Sequence, residues 1–248
     1  MKRKTLLIIS LAVFGLLWMP AFGINRIAWA GTGGNYTALD RTGRAVYVLK
    51  ELTRAPDHGI PKELLENAQG IAVIPHVVNA AFGIGGSWGK GLMSVRESNG
   101  EWSAPAFITL TGGSFGFQLG AEATDVVLVF NNRQGINSLL SSKLKLGADA
   151  SVAAGPVGRT AGAGTDLQFE SAIYSYSRSR GLFAGIALNG AVISIDNHVD
   201  HRIYGRHISG RDILLRNRVA PTYVTASFVK ALDRYSPPAI HSTQMKGS

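Results

Sequence analysis

Two glycine-flanked serines match the pattern of a hydrolase nucleophile. Gly112-Gly113-Ser114-Phe115-Gly116 has the Gly-x-Ser-x-Gly spacing, and Asp and His residues follow it in the hydrolase order. A nucleophile elbow requires a helix directly after the serine, whereas the residues after Ser114 alternate as in a strand. Gly85-Gly86-Ser87-Trp88-Gly89 has the same spacing, which shows that a glycine-rich chain produces the pattern without a catalytic reason. We therefore predict no enzymatic activity, with a serine hydrolase at Ser114 as the alternative.

Gly89-Lys90 invites comparison with a phosphate-binding loop. That loop requires a glycine five residues before Gly89, where this sequence has Ile84, and a Ser or Thr after the lysine, where it has Gly91. The glycines also lie in strand-like sequence and do not open a helix, so no dinucleotide fingerprint is present. We expect no nucleotide cofactor.

A group of potential metal ligands follows residue 195. Asp196, His198, Asp200 and His201 lie close together, with His207 further on, and two His with two Asp could bind zinc if a loop folded them inward. The alternative is a solvated polar turn between strands, since turns favour Asp and Asn for their own reasons. We predict no metal site and no other cofactor.

Basic residues are the most informative group. Five arginines between residues 202 and 218 face one acid, Asp212, and smaller clusters occur at 143–145 and 178–180. Such residues attract anionic head groups, although long cationic side chains also serve simply to keep a surface soluble. The predicted lipid-binding residues are Arg41, Arg44, Lys50, Lys143, Lys145, Arg159, Arg178 and Arg180.

Composition limits the class of protein. The sequence has no cysteine, which excludes disulfides, a thiol nucleophile and a Cys-type zinc site. Four of the 25 basic residues and none of the 16 acidic ones precede Gly31, so the remaining chain carries a formal charge of +5 instead of +9. This mild excess favours anionic surfaces, and we predict no nucleic-acid partner.

The N-terminus has the order of a secretory signal peptide. Basic residues 2–4 precede an apolar run from Leu6 to Trp18, and Ala28-Trp29-Ala30 supplies small residues for cleavage after Ala30. An uncleaved membrane anchor is the alternative, because the run approaches the length that spans a bilayer. We predict a signal peptide over 1–30 and one domain over 31–248, secreted or periplasmic and peripheral on a membrane.

The hydrophobic pattern predicts the elements that must position these residues. Apolar residues at helical spacing predict helices over 35–54, from Pro61 to Gly70, over 134–142 and over 221–234. Alternating apolar, serine and tyrosine residues with frequent glycine predict strands over 70–75, 80–95, 102–120, 126–131, 173–177 and 182–195. The predicted fold class is α+β, with a curved or barrel-like antiparallel sheet, N-terminal helices, a helical insert and a C-terminal helix.

Several blocks of the strand region resemble the SYLF-domain family in order and spacing, over a core of about residues 39–235. They are Gly70-Ile71-Ala72-Val73-Ile74-Pro75, Gly86-Ser87-Trp88-Gly89-Lys90-Gly91, the segments 102–108, 112–120, 124–129 and 146–159, and Ile173-Tyr174-Ser175-Tyr176-Ser177-Arg178-Ser179-Arg180-Gly181.

The resemblance implies a lipid-binding module without catalytic residues. Members of the family bind membrane lipids, phosphoinositides in eukaryotes, and fungal members bind and bundle actin. For this chain the resemblance implies binding to an anionic phospholipid or membrane surface. The alternative is a protein partner, in an envelope protein-interaction or actin-binding-like structural role.

Overall fold

Nine strands in the described part of the chain form one sheet that curls strongly into a half-barrel. The computed structural model describes residues 33–52, 59–80, 86–112, 123–158, 170–179 and 182–239, without the side chains of 33–36, 79 and 80. The strands are β1 (Gly70–Ala80), β2 (Gly86–Val95), β3 (Ala106–Thr111), β4 (Thr124–Phe130), β5 (Leu144–Lys145), β6 (Val152–Ala154), β7 (Ile173–Ser179), β8 (Leu182–Gly185) and β9 (Val192–Ile195).

The strand order is β5-β9-β3-β2-β1-β4-β7-β6, and β8 pairs with β7. The pairs are antiparallel except β6 with β7, which is parallel. The fold class predicted from the sequence, α+β with a curled antiparallel sheet between N-terminal and C-terminal helices, is confirmed.

Helices pack on both faces of this sheet. They are α1 (Gly33–Leu52), α2 (Lys62–Glu66), α3 (Gln134–Ser141), α4 (Asn197–Tyr204), α5 (Gly210–Leu214) and α6 (Ala226–Tyr235). Residues of α1, α2 and α6 join one buried cluster with Ile71, Val73 and Phe107. Residues of α3 and α5 join the other cluster with Ala72, Ile74 and Ile108. Neighbouring strand residues therefore point to opposite cores, as strand geometry requires.

Glycines in β2 let it approach β1 closely. A Cβ on Gly91 would lie 2.8 Å from Ile74 Cα and closer still to the Val73 carbonyl oxygen, and one on Gly89 would lie 2.7 Å from Ile74 Cγ2. Beside them β1 has a bulge between Ile74 and Val77, where a bulge bends the strand and increases its twist. The glycines and the bulge together account for the sharp curl at this strand pair.

A buried arginine joins three parts of the chain that are distant in sequence. The Arg96 guanidinium donates to the carbonyls of Ala68 at 2.9 Å, Gly100 at 3.1 Å and Ser236 at 2.8 Å. It also lies 4.2 Å from the centre of the Trp102 ring, and burial lowers its pKa from the usual arginine value. These bonds hold the segments after α2 and α6 against the end of β2.

The helix predictions hold for four helices and miss two. α1 and α3 lie where they are predicted, α2 ends before Gly70 because β1 begins there, and α6 starts at Ala226 because residues 221–225 form a turn. In that turn Thr222 N donates to Thr225 Oγ1 at 3.0 Å. α4 and α5 were not predicted. The signal-peptide prediction concerns residues 1–30, outside the described residues, and stays a prediction.

We expect Gly91→Ala to destabilise the protein, because a Cβ at this position meets the backbone of β1. Overpacking of this kind costs about 1–3 kcal/mol. Gly43→Ala is the matched control, since a Cβ at Gly43 meets nothing within 4 Å, and alanine in a helix is favoured over glycine by about 1 kcal/mol. Urea unfolding of both variants checks this, and equal stabilities would contradict the close-approach explanation.

Candidate functional site

The first helix is fixed near its N-terminal half by an ion pair with the start of α4. Arg41 Nη1 lies 3.4 Å from Asp196 Oδ2, and the two side chains are only 10% and 12% exposed. The Arg41 guanidinium also lies 5.2 Å from the centre of the Phe107 ring in β3. Burial lowers the pKa of Arg41, while the charge of Asp196 opposes that shift.

A second ion-pair network fixes the C-terminal half of α1. Arg178 in β7 lies 2.9 Å from Asp125 Oδ2 and 3.4 Å from Glu51 Oε2, and its side chain is 11% exposed. Its guanidinium also lies 5.0 Å from the centre of the Tyr47 ring. The helix is therefore held over the middle of the sheet, where it packs on β1 and β2.

Beyond α1, the same sheet face carries exposed and half-buried side chains across β2, β3, β9 and β5. One row of register partners runs Trp88, Thr111, Val192, Lys145, and the next runs Lys90, Thr109, Ser194. Partners in antiparallel strands present their side chains on one face, and the Thr109 and Ser194 hydroxyls indeed lie 3.0 Å apart. Lys143 precedes β5 and lines a cleft together with Ser194. We name these eight residues the basic strip: Trp88, Lys90, Thr109, Thr111, Val192, Ser194, Lys143 and Lys145.

The basic strip combines positive charge with an exposed aromatic ring. Lys90, Lys143 and Lys145 supply three cations, and none of the eight residues is acidic. Trp88 is 50% exposed with Lys90 Nζ at 5.2 Å from its ring centre, and its β1 partner Val78 is 41% exposed. A surface of this composition can accept anionic groups and bury an indole at an apolar boundary.

A buried carboxylate lies behind the α1 anchor. Asp200 is fully buried, and its Oδ1 accepts the Phe107 backbone N–H at 2.9 Å. Its Oδ2 has no hydrogen-bond partner in the described structure. Burial raises the pKa of Asp200 to about 8, with a further contribution from the charge of Asp196.

The structure separates the predicted lipid-binding residues into three groups. Lys143 and Lys145 lie together in the basic strip. Arg41 and Arg178 lie in the ion pairs that hold α1, so their charges are already matched within the fold. Arg44 and Lys50 are exposed on α1, with Arg44 Nε 3.0 Å from Asp40. Arg159 and Arg180 lie outside the described residues.

Sequence reasoning missed Trp88 and Lys90 as site residues. Both residues occur in the resemblance to the SYLF-domain family, and Lys90 also occurs in the rejected phosphate loop, but neither was predicted to bind lipid. The sequence did contain a signal for this pair. Trp88 and Lys90 are separated by one residue, so in a strand their side chains lie on the same face.

The alternative chemistries find no support in the described residues. Asp196 begins α4, accepts the Val199 N–H at 3.3 Å and pairs with Arg41, while Asp200 faces β3. No group of three or more His, Cys, Asp or Glu that could hold a metal occurs in the part of the chain that the structure describes. The interpretation of this segment as a polar turn was wrong, because its residues form α4. Ser114 lies outside the described residues.

Among the described residues, none of the helices combines the length and the apolar character needed to cross a bilayer.

Fold and site together define an α+β domain whose helices cover the curled sheet only in part and leave a basic strip exposed. A family model described as "Ysc84: Las17-binding protein actin regulator" matches residues 111–235. SH3 domain-containing YSC84-like protein 1 from Xenopus laevis is 34% identical over 186 residues, covering 72% of this chain and 55% of the relative. The Homo sapiens protein of that name is 32% identical over 184 residues, covering 72% of this chain and 54% of the relative.

Protein YSC84 from Saccharomyces cerevisiae is 34% identical over 181 residues, which cover 70% of this chain and 38% of the relative. The chain belongs to the Ysc84 family, the proteins that carry the SYLF domain. It spans about half the length of the YSC84-like relatives from animals that it matches. These relatives are named for binding and for domains, not for a reaction.

We expect Asp200→Asn to remove a pH dependence of stability. A folded pKa of about 8 exceeds the unfolded value, so the folded state binds more protons between about pH 4 and 8. The free energy of unfolding of the wild-type chain should therefore fall as pH rises through this range, at up to about 1.4 kcal/mol per pH unit. The measurement is urea unfolding at each pH for wild type, Asp200→Asn and the exposed control Asp40→Asn. A slope unchanged in Asp200→Asn would contradict the assignment.

Proposed function

We propose that this chain is a non-enzymatic module that binds anionic membrane lipids through the basic strip. The observation that carries the proposal is that Lys90, Lys143 and Lys145 share one side of the sheet with Trp88, and that none of the eight strip residues is acidic. Each lysine near a negatively charged membrane contributes about 1 kcal/mol. Residues from three parts of the sequence meet there only because β9 pairs with both β3 and β5.

Trp88 supplies the second component of binding. Tryptophan favours the boundary between water and lipid because its ring is largely apolar while its N–H can hydrogen-bond. Its exposed position beside Val78 costs stability in water unless something covers it, and a membrane surface would do so. Lysine stems can also lie along an apolar surface while the ammonium groups stay in water.

The roles proposed for the arginines change accordingly. Arg41 and Arg178 act within the fold, because they fix α1 and so determine where the exposed part of the sheet begins. Arg44 and Lys50 lie on the exposed side of α1 and extend the positive surface without belonging to the basic strip.

A protein partner is the second candidate function. It is favoured by the description of the matched family model, which names Las17 binding and actin regulation. Recovery of a protein partner by pulldown, together with no affinity for anionic vesicles, would favour this function over lipid binding.

We expect the triple variant Lys90→Gln, Lys143→Gln, Lys145→Gln to bind anionic vesicles about a hundredfold more weakly, at about 1 kcal/mol per lysine. The measurement is co-sedimentation of the purified chain with phosphatidylglycerol vesicles and with neutral phosphatidylcholine vesicles, at low and moderate salt. Wild-type binding should require the anionic lipid and weaken with salt.

The control for this test removes three other charges. Arg202→Gln, Arg206→Gln and Lys230→Gln change the net charge equally but lie on α4, after α4 and on α6, outside the basic strip. Equal losses in both triple variants would show that net charge decides binding, and would contradict the basic strip as its site.

We expect Trp88→Ala to weaken vesicle binding by the same factor at low and at moderate salt, because the lost contribution is apolar. Burial of apolar surface is worth about 25 cal/mol per Å², and salt screens only the electrostatic part. Tyr223→Ala is the matched control, as Tyr223 is an aromatic residue 77% exposed elsewhere on the surface. A loss for Tyr223→Ala as large as that for Trp88→Ala would contradict the role of Trp88.

A further inference from the structure

A cleft of about 430 Å³ adjoins the basic strip at the C-terminal end of β9. Its lining comes from the end of α3, from β9 and from the starts of α4 and α5, and includes Leu140 and Ile195. Lys143 and Ser194 line it, and both also belong to the basic strip. The cleft is therefore continuous with the surface proposed to meet the membrane.

Two cations from different elements line this cleft. Lys143 follows α3 and Arg211 lies in α5, and the residues around the cleft include no Asp or Glu. Within the part of the chain that the structure describes, neither side chain has an ion-pair partner. Two cations that line one cleft give it a positive charge, so the arrangement suits an anion.

The nearest carboxylate in sequence is occupied elsewhere. Asp212 Oδ2 accepts hydrogen bonds from Ser209, with the Oγ at 2.6 Å and the backbone N–H at 3.1 Å. Asp212 Oδ1 lies 3.1 Å from Arg216 Nη1 and 3.5 Å from Arg218 Nε. This capping arrangement uses both carboxylate oxygens of Asp212, so Asp212 does not pair with Arg211.

Neutral hydrogen-bonding groups complete the lining. The exposed residues Ser142 and Asn197 also line the cleft, one after α3 and one at the start of α4. A hydroxyl and an amide can each donate to a phosphate oxygen. Two cationic side chains and two neutral hydrogen-bonding side chains, from three segments of the chain, therefore line one cleft.

We infer that this cleft binds a phosphate monoester group. Such a group carries about −1.5 to −2 charges near neutral pH and three acceptor oxygens, which matches two cations and two neutral donors. The Arg211 fork can bind two oxygens at once, and Lys143 can bind as a point charge. A phosphodiester carries one negative charge and matches the cleft less well. If the phosphate belongs to a lipid head group, this inference rests on the proposed function, because the head group would reach the cleft from the basic strip.

The test compares vesicles of phosphatidic acid, a monoester, with phosphatidylglycerol vesicles adjusted to the same net charge. We expect the wild-type chain to bind the monoester vesicles about tenfold more tightly, the scale of one charged hydrogen bond. Arg211→Gln should abolish the preference and leave phosphatidylglycerol binding nearly unchanged, whereas Lys90→Gln should weaken both equally. Arg206→Gln is the matched control, an exposed arginine outside the cleft.

A second experiment, without vesicles, distinguishes a lipid head group from a free phosphate ester. It also distinguishes the cleft assignment from the proposed membrane function. Calorimetric titration with glycerol 3-phosphate should give binding that Arg211→Gln and Lys143→Gln each weaken about tenfold. Binding of this soluble ester without any vesicle binding would support the cleft and contradict the proposed membrane function. Vesicle binding without monoester preference, and without glycerol 3-phosphate binding, would overturn the cleft assignment alone. Thermal unfolding that is unchanged in Arg211→Gln, Lys143→Gln and Lys90→Gln excludes loss of fold as the cause.

Discussion

The position of α1 on the sheet depends on ion pairs at both of its halves, and Asp125 is central to one of them. Its Oδ2 pairs with Arg178 at 2.9 Å, and its Oδ1 accepts the His76 N–H at 3.0 Å. His76 has φ of 56°, in the left-handed region that non-glycine residues seldom adopt. One carboxylate thus stabilises the bulge of β1 and, through Arg178, the helix above it. Removing a partner from such a poorly solvated pair leaves a charge without compensation, which is costly.

The exposed basic strip is a consequence of this arrangement. The anchors at Arg41 and Arg178 hold α1 where it packs on β1 and β2, and the strip residues of β3, β9 and β5 lie beyond that contact. The glycines of β2 and the Arg96 hydrogen bonds fix the strands beneath, since they set how closely β1 and β2 pack and where β2 ends. Lysines and a tryptophan that would be scattered in an extended chain consequently share one surface. The same edge forms a wall of the cleft that contains Lys143 and Arg211.

Local patterns predicted much of the fold. The helical spacing in α1 and α3 and the alternation in β1, β4 and β7 are properties of short segments, and the elements occur where those patterns lie. α4 was missed because Asp196, His198, Asp200 and His201 were interpreted through their side-chain chemistry, although Asp196 is a good helix N-cap. α5 had a readable signal in Ser209 and Asp212, which form the capping box observed at its start.

The site was less predictable because it depends on long-range pairing. Arg41 was predicted to contact lipid, yet its partner Asp196 lies 155 residues away, and the Asp125 partner of Arg178 lies 53 residues away. A count of basic residues cannot distinguish a guanidinium paired within the fold from one exposed to solvent. Lys143 and Lys145 were identified from sequence, but their proximity to Lys90 follows only from the strand order β5-β9-β3-β2.

The most direct test of the central claim asks which face of the sheet meets the membrane. Because the sequence contains no cysteine, a single introduced cysteine carries a nitroxide label at one known position. Thr111→Cys places the label in the basic strip, and Ser98→Cys places it on the exposed turn beyond the far end of β2. On anionic vesicles, the label at residue 111 should become shielded from a water-soluble paramagnetic relaxant while the label at residue 98 stays accessible. Shielding at residue 98 but not at residue 111 would contradict the account.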